Sequence, residues 1–121
     1  LENAVTAEVA EKVNAKLVCE AANGPLTTDA DEVFERRGIT VTPDILTNAG
    51  GVTVSYFEWV QNRYGYYWGE KEVEEKQEIA MMNAFNDVWA LKEEKNVTVR
   101  KAAYMFSVKK VADVMKLRGW Y

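Results

Sequence analysis

Lys16-Leu17-Val18-Cys19-Glu20-Ala21-Ala22 is a short, mainly apolar run suited to a strand buried on both faces. Asn23-Gly24-Pro25 ends it, because proline lacks a donor and Gly24 frees the backbone to turn. Thr28-Asp29-Ala30-Asp31 then makes a capping-box-like helix start, with acidic residues at the positive end of the helix dipole. Val33 and Phe34 supply that helix's apolar contacts, and Gly38 stands where a C′ glycine would close it. Ile39-Thr40-Val41 is a second strand-like run, β-branched throughout and stopped by Pro43. Strand, helix and strand with short connections form a βαβ unit, hence a parallel pair with a right-handed crossover. Two strands are too few for a stable sheet, so their edges are expected to find partners in sequence beyond this chain.

On the N-terminal side, Leu1-Glu2-Asn3-Ala4 opens without an initiator methionine and reads as the interior of something longer. Residues 6–13 are expected to form a short helix with Val9 and Val13 on one face. On the C-terminal side the pattern is helical from Asp44. Residues 45–62 read as one helix with Gly50-Gly51 near its start, followed by the aromatic connection Tyr64-Gly65-Tyr66-Tyr67-Trp68-Gly69. A long helix over 70–95 carries Ile79, Met82, Phe85 and Trp89 on one face. Asn96 breaks it, Thr98 is placed to cap the next helix, and Tyr104, Val108, Val111 and Met115 form a further stripe ending near Gly119. Met81-Met82 and the Tyr/Trp cluster are expected to make core and subunit contacts.

The composition narrows the chemistry. The chain has 121 residues, 48% hydrophobic and 28% charged, which suits a single hydrophobic core. Its formal charge of −4 leaves no basic surplus to neutralise phosphates, so neither nucleic acid nor an anionic membrane is an expected partner. Cys19 is the only cysteine, which rules out an intrachain disulfide. No leader pattern and no apolar run of bilayer-spanning length is seen, and the expected location is cytoplasmic. There is no histidine. That removes Ser-His and Cys-His catalysis, histidine bases and the commonest zinc ligand, and no metal site is expected.

Two loops stand out on physical grounds. Residues 20–25 follow the first strand, and Pro43-Asp44-Ile45-Leu46-Thr47-Asn48-Ala49-Gly50-Gly51 follows the second. Ligands of open α/β sheets bind at the carboxyl ends of strands, where both loops lie. Gly50 and Gly51 let a planar ligand approach the backbone closely, and Asn23 and Asn48 each offer a donor and an acceptor, the pattern a carboxamide such as nicotinamide's requires. The plainer alternative makes the asparagines turn and cap residues and the glycines loop punctuation. Glu58 has no second carboxylate at a spacing that would make a catalytic pair, and Cys19 has no adjacent base.

The segment Pro43-Asp44-Ile45-Leu46-Thr47-Asn48-Ala49-Gly50-Gly51-Val52-Thr53-Val54-Ser55-Tyr56-Phe57-Glu58-Trp59-Val60-Gln61-Asn62 closely resembles a hallmark segment of the hexameric glutamate dehydrogenases, within the Glu/Leu/Phe/Val dehydrogenase family. Glu20-Ala21-Ala22-Asn23-Gly24-Pro25 resembles that family's second cofactor-side loop. Leu1-Glu2-Asn3-Ala4 resembles the end of a motif whose first half is absent, and Gly65-Tyr66-Tyr67-Trp68 and the closing helices also fit. The resemblance covers essentially the whole chain.

It implies an α/β fold: residues 1–62 as the C-terminal part of a Rossmann-like dinucleotide-binding domain, and residues 63–121 as long C-terminal helices packing back toward a substrate domain that this chain lacks. It implies an oxidoreductase that converts L-glutamate to 2-oxoglutarate and ammonia with NAD or NADP, as a homo-oligomer, commonly a hexamer. Asn23, Asn48, Gly50 and Gly51 would then border the cofactor, Ser55 would hydrogen-bond the substrate's distal carboxylate, and Val52 would wall its methylenes. No catalytic residue is expected in this chain; the family's catalytic lysines and aspartate, and its glycine-rich pyrophosphate loop, belong to the missing N-terminal part. The isolated chain is accordingly expected to be inactive. A leucine- or phenylalanine-type dehydrogenase and a non-catalytic helical interaction module are the alternatives. Ser55 argues against the former, and the two asparagine loops argue against the latter.

Overall fold

The computed structural model describes residues 2–120; Leu1, the first residue of the Leu1-Glu2-Asn3-Ala4 stretch, lies outside them. The elements run α1 (Ala7–Lys12), β1 (Leu17–Cys19), α2 (Thr28–Arg36), β2 (Thr40–Thr42), α3 (Asp44–Thr47), α4 (Ala49–Tyr64), α5 (Glu70–Lys95) and α6 (Val99–Leu117). β1 and β2 pair in parallel, with Val18 opposite Val41, as the strand–helix–strand pattern requires. The fold is therefore α/β, a small parallel sheet followed by long helices. No helix among the described residues is long and apolar enough to cross a membrane.

The βαβ unit is held by its own core. Ala10, Ala30, Val33, Phe34, Ile39 and Val41 are buried together, with Val5, Ala7, Val13, Val18 and Leu26 packed around them. α2 begins one residue earlier than the capping pattern suggests. Thr27, not Thr28, is the N-cap, and its Oγ1 accepts the Ala30 amide at 3.3 Å. Gly38 does close the helix, at φ +67°, a conformation that suits glycine. β2 is displaced by one residue from the β-branched run, to Thr40–Thr42, and Pro43 ends it.

Several expectations need correction. β1 is shorter than its apolar run and is not buried on both faces: Leu17 is 53% exposed and Cys19 is exposed. Among the described residues it has one neighbouring strand, so its other edge and flank face outward. In α1, Val9 is exposed and Ala10 takes the buried position. The helix expected over 45–62 is two helices, parted at Asn48, whose backbone sits at φ −99°, ψ 7°.

The apolar stripes of the long helices are also not where the core lies. Ile79, Met82 and Phe85 on α5, and Tyr104, Val108 and Val111 on α6, are exposed, as are Tyr64, Tyr66 and Tyr67 of the aromatic connection. The second core is instead Leu46, Val88, Val99, Ala102 and Ala103, flanked by Ala84, Trp89, Leu91, Val97 and Phe106. Small side chains at 102 and 103 let α5 and α6 approach closely there, while the larger residues are left on outward faces. Caps delimit these helices as expected. Asn96 takes a left-handed conformation at φ 50°, and Thr98 Oγ1 accepts the Lys101 amide at 3.3 Å.

Candidate functional site

Both suspect loops leave the carboxyl ends of the parallel strands, and the structure brings them together. The Asn48 Nδ2 donates to Asn23 Oδ1 at 2.5 Å and to the Ala21 carbonyl at 3.4 Å. One amide group is thereby committed across the gap from each side. That leaves Asn48 Oδ1 as an acceptor and Asn23 Nδ2 as a donor outside this bond, the two kinds of group that a carboxamide can pair with. Asn23 is exposed and Asn48 half-buried, so the pair faces outward from a supported position.

The support lies beneath. Glu20, 3% exposed, is a buried carboxylate at the end of β1. Its Oε2 accepts the Asp44 backbone N–H at 2.8 Å, and the Asp44 Oδ2 in turn accepts the Gly24 N–H at 2.8 Å. Two carboxylates thus stitch loop 20–25 to loop 43–48 in both directions. Thr47 adds a hydroxyl bond to the Thr42 carbonyl at 3.0 Å, turning α3 back onto the end of β2. At the N-terminus, Asn3 N–H donates to the Gly24 carbonyl at 2.7 Å and Val5 N–H to the Pro25 carbonyl at 2.9 Å, fixing the far side of the first loop.

Arg100, from the first turn of α6, reaches the same cluster. Its guanidinium grips Glu20 through Nη2 at 2.7 Å and Nη1 at 3.1 Å, and Asp31 through Nε at 2.8 Å and Nη2 at 3.2 Å. Burial alone would lower the pKa of this guanidinium, but its hydrogen bonds to Glu20 and Asp31 outweigh burial and hold it above the ordinary arginine value. Arg100 therefore stays charged throughout the working pH range. Glu20 and Asp44 lie within the two suspect loops and Asp31 within the expected helix start, but the sequence gives none of them, nor Arg100, a role in supporting the site. A lone acid between Cys19 and Ala21 was a signal for Glu20; nothing local points to Arg100, which lies far away along the chain.

The remaining candidates line the start of α4. Gly50 and Gly51 occupy its first turn, and they differ. A Cβ on Gly50 would come within 2.7 Å of Gln77 Nε2, whereas a Cβ on Gly51 would meet nothing within 4 Å. Space above Gly51 is thus open, as a closely approaching ligand would need. Val52 is 69% exposed. Ser55 lies one turn beyond Gly51 and donates its hydroxyl to the Gly51 carbonyl at 3.1 Å, keeping lone pairs and an exposed position. Glu58 is exposed, as a solvated helix residue should be. Among the described residues no group of acids and cysteine is placed to hold a metal.

Asn23, Gly51, Val52 and Ser55 are exposed and Asn48 is half-buried, so the shelf these candidates would make is open. A more enclosed concavity, about 380 Å³, lies elsewhere, between the α2–β2 turn and the α5–α6 junction, and shares only the Asp31–Arg100 wall with the cluster.

Paired amides lie at the carboxyl ends of two parallel strands, the position where open α/β folds bind ligands, with Gly50 and Gly51 in the first turn of the helix that follows. The chain belongs to the Glutamate/Leucine/Phenylalanine/Valine dehydrogenase family, whose model matches residues 1–119. It is 74% identical over all 121 residues to the NAD-specific glutamate dehydrogenase of Clostridioides difficile, and spans 29% of that relative's length. The crystal structure of glutamate dehydrogenase from Peptoniphilus asaccharolyticus superposes on the entire chain with a TM-score of 0.94 at 63% identity, the chain covering 31% of it. A hetero-hexameric glutamate dehydrogenase from Thermus thermophilus matches 99% of the chain at a TM-score of 0.93 and 31% identity, with 29% of that protein covered.

Proposed function

We propose that this chain is one part of an NAD(P)-dependent glutamate dehydrogenase that oxidises L-glutamate to 2-oxoglutarate and ammonia. It supplies the nicotinamide side of the cleft and one contact to the substrate. The observation that carries the reading is the Asn23–Asn48 pair, set across the ends of β1 and β2 with one acceptor and one donor left over. NAD is the favoured cofactor, since the relatives from C. difficile and P. asaccharolyticus, 74% and 63% identical, bear NAD-specific names.

In this reading residues 1–62 complete a dinucleotide-binding domain, and residues 63–121 pack toward the substrate domain carried by the rest of the enzyme. Asn48 Oδ1 and Asn23 Nδ2 orient the carboxamide, and Gly51 allows the ring to lie close to the first turn of α4, where Gly50 instead makes room for Gln77. Ser55 hydrogen-bonds the distal carboxylate of glutamate, and Val52 borders its methylenes. The cofactor, when bound, is the hydride acceptor; the chain's own residues fix the approach of ring and substrate and keep water from one side. Lysine and aspartate for proton transfer and carboxylate binding come from the remainder of the enzyme, which acts as an oligomer, expected to be a hexamer, in the cytoplasm. The exposed stripes of α5 and α6 and the open edge of β1 support a larger assembly of this kind.

Glutamate-dependent reduction of NAD, followed by absorbance, is expected for a full-length enzyme carrying this chain. The isolated 121-residue chain should show neither turnover nor saturable NAD binding by calorimetry. A sharper check is Gly51→Ala. Alanine is the better helix former by roughly 0.5–1 kcal/mol and meets no neighbour, so thermal stability should hold or rise. The KM for NAD should nevertheless rise roughly tenfold as the methyl intrudes on the ring's approach. An unchanged KM would remove the cofactor from this shelf.

A further inference from the structure

We propose that Arg100 is a positioning residue for the cofactor-side loops, acting through a relay Arg100–Glu20–Asp44–Gly24 that sets the separation at which Asn23 and Asn48 meet. The inference rests on the reading that those asparagines face the cofactor. None of the four relay members belongs to the shelf itself, and each link is a hydrogen bond of the structure. Arg100 holds both oxygens of Glu20, Glu20 Oε2 holds the Asp44 amide, and Asp44 Oδ2 holds the Gly24 amide. Asn23 precedes Gly24 directly, and Asn48 lies one helical turn after Asp44, where its amide donates to the Asp44 carbonyl at 3.0 Å. The relay therefore ends on both asparagines.

The geometry of Arg100 sets what the relay needs. The Glu20 side chain is 1% exposed and that of Arg100 21% exposed, so water contributes little to holding the carboxylate. Glu20 Oε2 serves two donors at once, and only a guanidinium can fix the carboxylate plane while also anchoring on Asp31 of α2. Arg100 itself is carried by α6, whose first turn is pinned by the Thr98 cap and buried through Val99, Ala102 and Ala103. Through this residue the packing of the C-terminal helix governs the spacing of the two loops. Released, Glu20 can rotate about its side-chain bonds, and the Asp44 amide loses its acceptor.

The test uses full-length enzyme and compares the KM for NAD at saturating glutamate with the KM for glutamate at saturating NAD. Arg100→Lys keeps the buried charge neutralised but replaces the fork with a point donor. It should raise the NAD KM roughly fivefold and leave the glutamate KM within about twofold. Arg100→Met should raise the NAD KM by roughly tenfold or more. Adding Glu20→Gln to Arg100→Met removes the stranded charge while keeping a carbonyl oxygen for the Asp44 amide, and should return the NAD KM most of the way to the parent value. Should Arg100→Met fail to fold, Arg100→Lys and the double variant decide the matter alone. An unchanged NAD KM in Arg100→Lys, equal rises in both KM values, or no recovery in the double variant would overturn the relay. Asn48→Ala is measured alongside. If it raises the NAD KM while the Arg100 variants do not, the relay fails and the cofactor reading stands; if Asn48→Ala also leaves it unchanged, both fail.

Discussion

Asn48→Ala in the full-length enzyme is expected to lower kcat/KM for NAD roughly 100-fold, about 2.7 kcal/mol of transition-state stabilisation, with the loss expressed mainly in the cofactor's KM. Asn48 is the one side chain that ties the two loops from the ligand side, donating to Asn23 Oδ1 and to the Ala21 carbonyl. On the proposed reading, removing it deletes a cofactor contact and also unties Asn23, so two orienting groups go at once. The structural cost should be small by comparison. Asn48 makes no side-chain cap to α4, its φ is negative, and its bonds are solvent-accessible, so about 1 kcal/mol of stability is at stake. Asn48→Asp sharpens the point because its size is unchanged. A carboxylate cannot donate to Asn23 Oδ1, so Asn23 must turn its amide round to satisfy it. The shelf would then present two acceptors where it had an acceptor and a donor. Asp at this position should therefore be as damaging as Ala. If Asp retained most of the activity, the polarity of the pair would not matter and the carboxamide assignment would be wrong.

The features legible in the sequence are those written in a few adjacent residues. The βαβ unit came through in order, with a parallel pair and Gly38 closing α2, because caps, glycine and proline act locally. The two loops were legible because the ends of parallel strands are fixed by that order, and Asn23 and Asn48 do meet there. The break at Asn48 was hidden, since the helical pattern continues on both sides and the contact that Asn48 makes across the gap joins residues far apart in the chain. Periodicity misled in α5 and α6 for a related reason. A stripe such as Tyr104, Val108 and Val111 shows apolar residues at helical spacing without saying whether this chain's own core covers them, and here it does not. Within this chain the helices meet instead on Val88, Ala102 and Ala103, whose small side chains make a weak stripe but a close contact. Arg100 was invisible, because a charged residue in a helix otherwise rich in solvated charges acquires its meaning only from Glu20 and Asp31.

Phe34→Ala should cost about 3–5 kcal/mol in urea unfolding of the 121-residue chain, the range found for deleting a buried aromatic ring. Phe34 is 1% exposed and sits among Ala10, Ala30, Val33, Ile39 and Val41. Two of those neighbours are already alanine, so no larger side chain on α1 or at position 30 is available to collapse into the space. Against the 5–15 kcal/mol typical of a domain, the loss should leave the βαβ unit largely or wholly unfolded near room temperature. Phe34→Leu, which keeps most of the volume, should recover the greater part of it. Ile79→Ser and Val108→Ser provide the contrast. Both positions belong to stripes that look like core in the sequence, yet they are 61% and 63% exposed, and each change should stay within about 0.5 kcal/mol. A large loss at Ile79 or Val108 together with a small one at Phe34 would place the core on the outer helix faces. Ile39 and Val41, which pack on Phe34, lead through β2 straight into Pro43 and Asp44. A cavity at Phe34 removes the footing of the second loop, so in the full-length enzyme Phe34→Ala should raise the KM for NAD although the ring lies in the core, away from the shelf.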